Sequence, residues 1–422
     1  MRVLVTTSAV NSHLYNLVPT AWALRAAGHE VCVATQPNLV EETKRTGLTA
    51  VAVGEELPTA RGNLDTSDTP YGLGVDITET DPATLTLPYV REVFRAYTSV
   101  VCEYMAGDSM LSDLVDFARV WRPDLVLWDA HNYAAPVMAR AADLPHVRII
   151  PAPDHWARMR AIFLDLVRDD PAAAADDPLA DYLGGKLARY GREFDEEMVV
   201  GRATLEPIPT CLRVRADVDY RPVRHVPYSG PSVIPAWLRR KPKRRRVCLT
   251  LGQTRRALGP AGSDDSGAAG LLSAIADLDV EVIATLNASQ IPPGTPIPDN
   301  VRLFDYVPLN ALLPTCAAVV HLGGMGTVNA AVVHGVPQVG MPGNIWGEAG
   351  IMREMAARGA ALVAEPGTLV AQLARVLDEP SFTDAATQLR KEMLATPSPR
   401  DIVPDVEEIA GVRAKGEGDG RR

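Results

Sequence analysis

Apolar and polar residues alternate along the chain in blocks that predict buried strands followed by helices with one apolar face. Residues 2–7 and 30–34 are short β-branched runs of the kind that form buried strands. Between them, residues 17–27 are apolar on one helical face, with Pro19 in the first turn and Gly28 as the C-terminal cap. Predicted helices at 111–121 and 134–142 and predicted strands at 124–128 and 146–150 follow. Repeated βα units with short connections predict a parallel, doubly wound sheet.

A second series of the same kind begins after a Pro-punctuated stretch at 228–238. Its predicted elements are strands at 246–252, 280–286, 301–304 and 317–322 and helices at 270–276 and 384–395. We therefore predict an α/β protein with two Rossmann-like domains, residues 1–225 and 241–395, joined by a linker at 226–240. Residues 396–422 are predicted to form a C-terminal segment that ends in a frayed tail.

Residues 55–108 interrupt the alternation of the first half. This segment is rich in Asp, Thr, Gly and Pro at its start and has a helical pattern from about Tyr89. Long inserted segments usually shape a pocket or contact a partner. We therefore assign residues 55–108 to the N-terminal domain as a functional helical insertion.

Composition narrows the class of protein. A chain of 422 residues exceeds one ordinary core, which agrees with two domains. The net charge of −10 argues against nucleic acid or an anionic membrane as a partner. No apolar run reaches the roughly 18 residues of a membrane span, and no leader peptide is expected. The five cysteines are scattered and never in a C-x-x-C pair, which predicts free thiols and a cytoplasmic location.

The segment from His321 to Thr327 carries the clearest chemistry. An apolar strand is followed by the glycines of a tight turn, including Gly324 and Gly326, and then by the start of a helix near Thr327. Free backbone N–H groups and the helix dipole converge at such a turn and favour an anion. His321 would add a further donor. The expected ligand is a phosphate or a diphosphate.

This turn, together with Gly335-Val336-Pro337-Gln338, resembles the donor-binding signature of the family 1 glycosyltransferases, which have the GT-B fold. Residues 12–31 are typical of actinobacterial antibiotic glycosyltransferases. Further stretches resemble the macrolide and polyketide deoxysugar transferases of the desosaminyl type; they are residues 121–126, 194–197, 228–233, 244–252 and 312–317. The resemblance extends over nearly the whole chain.

The resemblance implies two domains that face a central cleft and an inverting transfer without a cofactor. The C-terminal domain would bind a dTDP-deoxysugar and the N-terminal domain an apolar polyketide aglycone. Residues that would hold the donor diphosphate are His321, Gly324, Gly326, Thr327 and Gly252. Val307 and Pro308 would lie near the nucleotide base. No metal is expected, because the helix dipole and His321 would carry the leaving diphosphate.

His13 is the candidate catalytic base. It follows the first strand and faces the carboxyl edge of the sheet, where active sites of α/β proteins gather. We expect the dipole of the following helix to keep the ring neutral and able to accept a proton. Its task would be to deprotonate an aglycone hydroxyl as the oxygen attacks the anomeric carbon. Asp129, at the end of strand 124–128, stands where the family carries an acidic partner for this histidine.

The sugar contacts are where the chain departs from the family. The usual Asp after the Val-Pro-Gln strand is absent, and Asn344, Trp346 and Glu348 are the candidates that replace it. The family also implies a P450-like auxiliary activator that contacts the insertion, and a homodimer stays open. O-, N- or C-linkage stays open as well.

The same sequence features bear on two other classes of protein. An NAD(P)-dependent oxidoreductase would need a third glycine in the turn and an acidic residue after the next strand, and the chain has neither. A catalytically silent homologue that binds the nucleotide sugar or the aglycone stays open, because the usual Asp is missing. Two Asp-x-Asp pairs, at 217–219 and 277–279, are expected to be chance spacings rather than metal ligands.

Overall fold

Two parallel β-sheets form the centre of the protein in the computed structural model. The structure describes residues 1–58, 74–214, 216–252, 266–287, 290–291, 293–343, 347–365 and 367–411. Each sheet is covered by helices on both faces, which explains why the central strands are buried along almost their whole length. The predicted fold class is confirmed.

The N-terminal sheet has seven strands in the order β3-β2-β1-β4-β5-β6-β7. Its strands are β1 (Arg2–Thr6), β2 (Glu30–Thr35), β3 (Thr49–Ala52), β4 (Leu125–Asp129), β5 (His146–Ile149), β6 (Ala203–Glu206) and β7 (Tyr220–Pro222). All of the neighbouring pairs are parallel. The strand order reverses between β1 and β4, and a doubly wound sheet opens a crevice at the carboxyl ends of two such strands.

The N-terminal half carries ten described α-helices. They are α1 (Asn11–Ala26), α2 (Val40–Arg45), α3 (Leu87–Ala96), α4 (Glu103–Met105), α5 (Asp108–Trp121), α6 (Ala134–Ala141), α7 (His155–Val167), α8 (Pro171–Ala174), α9 (Pro178–Ala188) and α10 (Glu197–Val200). Three of them begin with aspartate caps, since Asp154, Asp170 and Asp177 accept backbone N–H groups of α7, α8 and α9.

The insertion forms a helical layer over the N-terminal sheet. Helix α3 continues through a π-helical segment, Tyr97–Cys102, into α4. It packs against α7 and α9, and the fully buried Phe94 meets Phe163 edge to face with 6.1 Å between ring centroids. Aromatic burial of this kind contributes about 1.5–3 kcal/mol per side chain. The insertion is therefore part of the core of this domain.

The C-terminal sheet has six parallel strands in the order β10-β9-β8-β11-β12-β13. They are β8 (Arg246–Thr250), β9 (Glu281–Thr285), β10 (Val301–Leu303), β11 (Ala318–His321), β12 (Gln338–Gly340) and β13 (Ala361–Val363). The helices of this half are α11 (Ser266–Ala274), α12 (Leu309–Leu312), α13 (Met325–His334), α14 (Glu348–Ala357), α15 (Leu369–Asp378) and α16 (Pro380–Ala395). Here the order reverses between β8 and β11.

The end of the described chain returns to the N-terminal domain. After α16, the backbone passes beside the linker, where the Arg224 N–H donates to the Pro397 carbonyl at 2.7 Å. Helix α17 (Val403–Ile409) then packs its buried Val406 into the apolar cluster that contains Val3. The predicted frayed tail at 412–422 lies outside the described residues.

Several predicted boundaries differ from the structure. Helix α1 begins at Asn11, not near residue 17, and Pro19 lies inside it. The buried stripe of α1 reaches back to Leu14, so packing favours a longer helix than the proline alone suggests. Helix α13 likewise begins at Met325, two residues before the predicted start.

Two further predictions concern the cysteines and the membrane-spanning segments. All five cysteines are free thiols. Among the described residues, no helix combines the length and the apolar character needed to cross a membrane.

Candidate active site

The predicted site residues lie at the reversal points of the two sheets. His13 follows β1 and Asp129 ends β4, the two strands between which the order of the first sheet reverses. Gly252 follows β8 and His321 ends β11, the corresponding strands of the second sheet. Each domain therefore presents its candidate residues in the crevice where doubly wound sheets bind ligands.

His13 and Asp129 form a direct pair. His13 lies in the first turn of α1, rather than in the preceding loop, and its Nδ1 is 2.7 Å from Asp129 Oδ2. The Asp129 side chain is 4% exposed and the His13 side chain 17% exposed, so the ring closes over the carboxylate. Thr7 Oγ1 also donates to Oδ2, at 3.4 Å. This arrangement fixes the imidazole tautomer with the proton on Nδ1 and a lone pair on Nε2.

The electrostatics of the pair differ from expectation. Burial alone lowers the pKa of His13, but the charge and hydrogen bond of Asp129 outweigh it, so the pKa is raised above its ordinary value. Burial also raises the pKa of Asp129, and the charge and hydrogen bond of His13 more than reverse this, leaving it well below its usual range. The expected control of His13 by the helix dipole is therefore wrong in direction, because a carboxylate at hydrogen-bond distance acts more strongly.

His131 is a third member of this site that sequence reasoning missed. Its backbone N–H donates to Asp129 Oδ1 at 3.4 Å, and its Nδ1 is 3.8 Å from the same oxygen. The His131 ring meets the His13 ring edge-on, with 4.9 Å between centroids. The only sequence signal is an Asp-x-His spacing at the end of a buried strand.

Asp129 is thus placed between two imidazoles, with one carboxylate oxygen toward each. His13, Asp129 and His131 each offer a ligand atom, all within 4.8 Å of one another, which is a grouping that could hold a metal ion. The hydrogen bond between His13 Nδ1 and Asp129 Oδ2 already occupies one candidate ligand atom of each of these two residues. The same bond leaves His13 Nε2 free to accept a proton.

The glycine-rich turn has a defined internal support. His321 is buried, and its Nδ1 accepts the Gly323 N–H at 3.0 Å, which leaves the proton of the neutral ring on Nε2, 2.9 Å from Gln338 Oε1. Burial lowers the pKa of His321 to about 4. We expected this ring to donate to a diphosphate. In this structure it holds the turn instead, because parallel pairing of β11 with β12 brings Gln338 to its other nitrogen.

Among the described residues, no side chain covers the turn. A Cβ at Gly324, Gly326 or Gly252 would meet no atom of these residues within 4 Å. Gly324 is the N-cap of α13, and its carbonyl accepts the N–H groups of Thr327 and Val328. Within the described part of the chain, the N–H groups of Gly324, Met325 and Gly326 have no protein acceptor. Three free donors at the N-terminus of a ten-residue helix suit an anion.

Gly323 shows how tightly the turn is built. Its φ of +88° lies in the left-handed region, and a Cβ there would be 2.9 Å from the Cβ of Glu348. Glu348, the first residue of α14, therefore lies directly against the turn. Asn344 and Trp346, the other predicted sugar residues, lie outside the described residues.

The predicted base-binding residues are positioned by packing. Val307 is buried in the core between β9, β11 and α13, so only its backbone can face a ligand. Pro308 is the N-cap of the short helix α12. The adjacent Tyr306 donates its hydroxyl proton to the Ser229 carbonyl of the linker at 2.8 Å.

The two predicted Asp-x-Asp pairs are far from this chemistry in the fold. Asp219 is paired with Arg221, with Nε 2.9 Å from Oδ1, and Asp279 lies 3.3 Å from Arg244 Nε. Asp277 and Asp279 precede β9 at the amino edge of the second sheet. Neither pair reaches the carboxyl edges.

The structure thus combines two Rossmann-like domains, one with an acid–imidazole pair and the other with a glycine-rich turn at a helix N-terminus. The chain matches the model of the Erythromycin biosynthesis protein CIII-like N-terminal domain over residues 22–252 and that of the C-terminal domain over residues 269–409. It belongs to this family of antibiotic glycosyltransferases and is itself a glycosyltransferase.

Individual relatives agree with this assignment. The chain is 42% identical to the aclacinomycin-T 2-deoxy-L-fucose transferase of Streptomyces galilaeus, covering 99% of this chain and 98% of the relative. It is also 42% identical to the 3-alpha-mycarosylerythronolide B desosaminyl transferase of Saccharopolyspora erythraea, covering 98% and 99%. The solved structure of the glycosyltransferase VinC in complex with dTDP is similar with a TM-score of 0.88 and 43% identity, covering 97% of this chain and all of that one.

Proposed function

We propose that this protein is an inverting glycosyltransferase that moves a deoxysugar from a dTDP-sugar to a hydroxyl of a polyketide or macrolide aglycone. The observation that carries the proposal is the bond of 2.7 Å between His13 Nδ1 and Asp129 Oδ2 at the reversal point of the first sheet. The donor and acceptor classes are supported by the relatives, whose names specify deoxysugar transfer to compounds of this kind.

The proposed step moves one proton and exchanges one bond. His13 Nε2 takes the proton of the aglycone hydroxyl while the oxygen forms a bond to the anomeric carbon. The bond from that carbon to the diphosphate breaks, and its electron pair leaves with dTDP. Attack from the face opposite the diphosphate inverts the anomeric centre. Asp129 stabilises the imidazolium that forms, without itself taking the proton.

The leaving group would be held by the open turn. The free N–H groups at Gly324, Met325 and Gly326 and the dipole of α13 are aimed at the charge that grows on the diphosphate. This supports a reaction without a metal. We expect an enzyme treated with EDTA to keep its rate, and a loss restored by Mg²⁺ would contradict this part of the proposal.

An aromatic cluster joins the insertion to the rest of the acceptor domain. Trp156 lies with its ring centroid 5.3 Å from Phe94, 5.4 Å from Tyr133 and 6.0 Å from Tyr97. Its Nε1 is buried and has no hydrogen-bond partner among the described residues. Phe94, Tyr97 and Tyr133 are buried, so the cluster packs the insertion against the acceptor domain, and we propose that the aglycone binds beside it.

The experiment that tests the base is a transfer assay on His13→Ala, with dTDP release and product measured against a panel of polyketide aglycones. We expect a loss of about 10²–10⁴-fold in kcat. His29→Ala is the matched control, because His29 pairs with Glu407 near the opposite edge of the sheet. Unchanged transfer by His13→Ala contradicts the base assignment, and binding of dTDP-sugar without any turnover in the wild type favours the silent homologue.

Three further parts of the proposal concern partners and location. A P450-like activator would contact the insertion and its flanking helices, where Tyr104 and Val120 are exposed. A homodimer is tested by size-exclusion chromatography with light scattering. The free cysteines support a cytoplasmic enzyme. A rate that stays the same when the activator is co-expressed contradicts the first of these.

A further inference from the structure

A loop of the insertion reaches the donor domain in a fixed conformation. The Asp76 side chain accepts the Thr78 N–H at 2.7 Å and its hydroxyl at 2.9 Å. Arg158 on α7 donates from Nη2 to the carbonyls of Ile77 and Glu79, at 2.9 and 2.6 Å. Arg158 therefore holds both ends of the turn at residues 76–79 against the acceptor domain.

This loop and His155 meet Gly347 of the donor domain. Gly347 has a φ of +77°, and a Cβ there would lie 2.9 Å from Thr78 Cγ2 and 3.7 Å from His155 Nε2. The two domains are thus in contact at this point of the cleft. Any side chain at Gly347 would push the insertion loop away or strain the backbone.

The contact lies next to the chemistry on both sides. In the donor domain, Gly347 precedes Glu348, whose Cβ would be 2.9 Å from a Cβ on Gly323 of the diphosphate turn. In the acceptor domain, His155 follows β5, which pairs with the strand that ends in Asp129. His155 therefore follows the strand next to that of Asp129 and approaches the residue that precedes Glu348, so it is placed to meet a sugar linked to a diphosphate at the turn.

The His155 ring is built to present one nitrogen to a ligand. Its Nδ1 is buried and has no hydrogen-bond partner in the described structure. Burial, with the charge of Arg158, lowers the pKa of His155 to about 4, so the ring is neutral at neutral pH. A buried acceptor without a partner is tolerated better than a buried donor, which favours the tautomer with the proton on Nε2. Nε2 is the nitrogen that faces Gly347.

We propose that His155 contacts the hexose of the donor and donates a hydrogen bond from Nε2 to one of its oxygens, which makes it a specificity-determining residue. This rests on the proposed function, since it requires a dTDP-hexose in the cleft. The proposal assigns part of sugar recognition to the acceptor domain. This contact with the sugar therefore forms only when the two domains are in contact.

The test is calorimetric binding of dTDP and of a panel of dTDP-deoxyhexoses that differ from one another by single hydroxyls, without any aglycone. In the wild type, the member that lacks the oxygen contacted by His155 should bind about 10-fold more weakly than the matching member that has it, the cost of leaving one buried donor unpaired. His155→Leu should abolish this difference, and His155→Gln, which keeps an N–H donor, should restore much of it. Binding of dTDP itself should not change.

Two other variants distinguish the loss of a sugar contact from a change in the fold. His334→Leu, at the far end of α13, removes a histidine away from the cleft and should keep the wild-type pattern. Gly347→Ala should weaken every dTDP-hexose while leaving dTDP unaffected. An equal penalty pattern in the wild type and His155→Leu overturns the inference. A wild-type protein that binds no dTDP contradicts the proposed function itself, and with it the inference.

Discussion

Replacing Asp129 by Asn removes the charge that faces His13 while keeping the size of the side chain. The His131 N–H, which donates to Oδ1 at 3.4 Å, can still donate to the amide oxygen, and Thr7 Oγ1, which donates to Oδ2 at 3.4 Å in the wild type, can instead accept from the amide nitrogen. An amide N–H facing His13 would turn Nδ1 into an acceptor. The proton of the ring then moves to Nε2, the nitrogen that must accept the proton of the aglycone.

The size of the effect follows from the pair's geometry. A hydrogen bond to a charged group contributes about 1.5–3 kcal/mol. Losing about 1.36 kcal/mol of transition-state stabilisation slows a reaction tenfold. Loss of this hydrogen bond in the transition state therefore slows transfer about 10- to 150-fold. The wrong tautomer can extend the loss to about 10⁴-fold. We therefore expect kcat to fall between these limits while the donor binds as before, because Asp129 lies in the other domain.

The pH dependence gives an independent check. The base must be unprotonated, so wild-type activity should rise with pH through the pKa of His13, which Asp129 raises above its ordinary value. In Asp129→Asn only burial acts on that pKa, and burial lowers it. The acid limb of the profile should therefore move to lower pH even though the rate is smaller.

The assay is dTDP release in the presence of aglycone between about pH 5 and 9. Asp124→Asn is the matched control, because Asp124 lies at the amino end of the same strand and accepts the Arg2 N–H at 2.6 Å. An Asp129→Asn enzyme with an unmoved acid limb and a kcat within a factor of about three of the wild type would refute the pairing as a catalytic device.

Three further predictions follow from other contacts. His131→Ala should lower kcat about two- to tenfold without changing dTDP affinity, because one neighbour of Asp129 is lost; an unchanged kcat would show that His131 is a bystander. Gly326→Val should raise the KM for the donor about tenfold or more with little change in Tm, since its Cβ fills open space above the turn; an unchanged KM would place the diphosphate elsewhere. Arg148→Met should destabilise the fold by about 3–5 kcal/mol in urea, because it leaves Asp154 buried without its partner, and a loss below about 1 kcal/mol would contradict this.

Much of the fold could be predicted because its signals are local. Strand periodicity, short connections and the glycines after β11 each act within a few residues, and together they specify two parallel sheets. The start of α1 was misplaced because a proline is a local signal of the first turn of a helix, whereas the packing of Leu14 against the sheet decides where this helix begins.

The site was predictable only in part, for the same reason. His13 could be named because it follows the first strand at the carboxyl edge of the predicted sheet, and Asp129 because the resemblance to the family implies an acidic partner at that position. The partners of His321 depend on the register between β11 and β12, which the sequence pattern does not encode. The contact of His155 with Gly347 joins residues of different domains, so neither sequence neighbourhood carries a signal for it.

The return of the C-terminal segment to the N-terminal domain has a mechanical consequence. The backbone passes between the domains twice, and at Arg224 and Pro397 the two passages run side by side and are bonded to each other. Two backbone passages that are bonded to each other act as a single hinge. They permit rotation of one domain against the other about one axis and resist sliding. If the domains open for substrate entry, Gly347 would separate from Thr78 along one path, and closure would return residues 76–79 to the same contact.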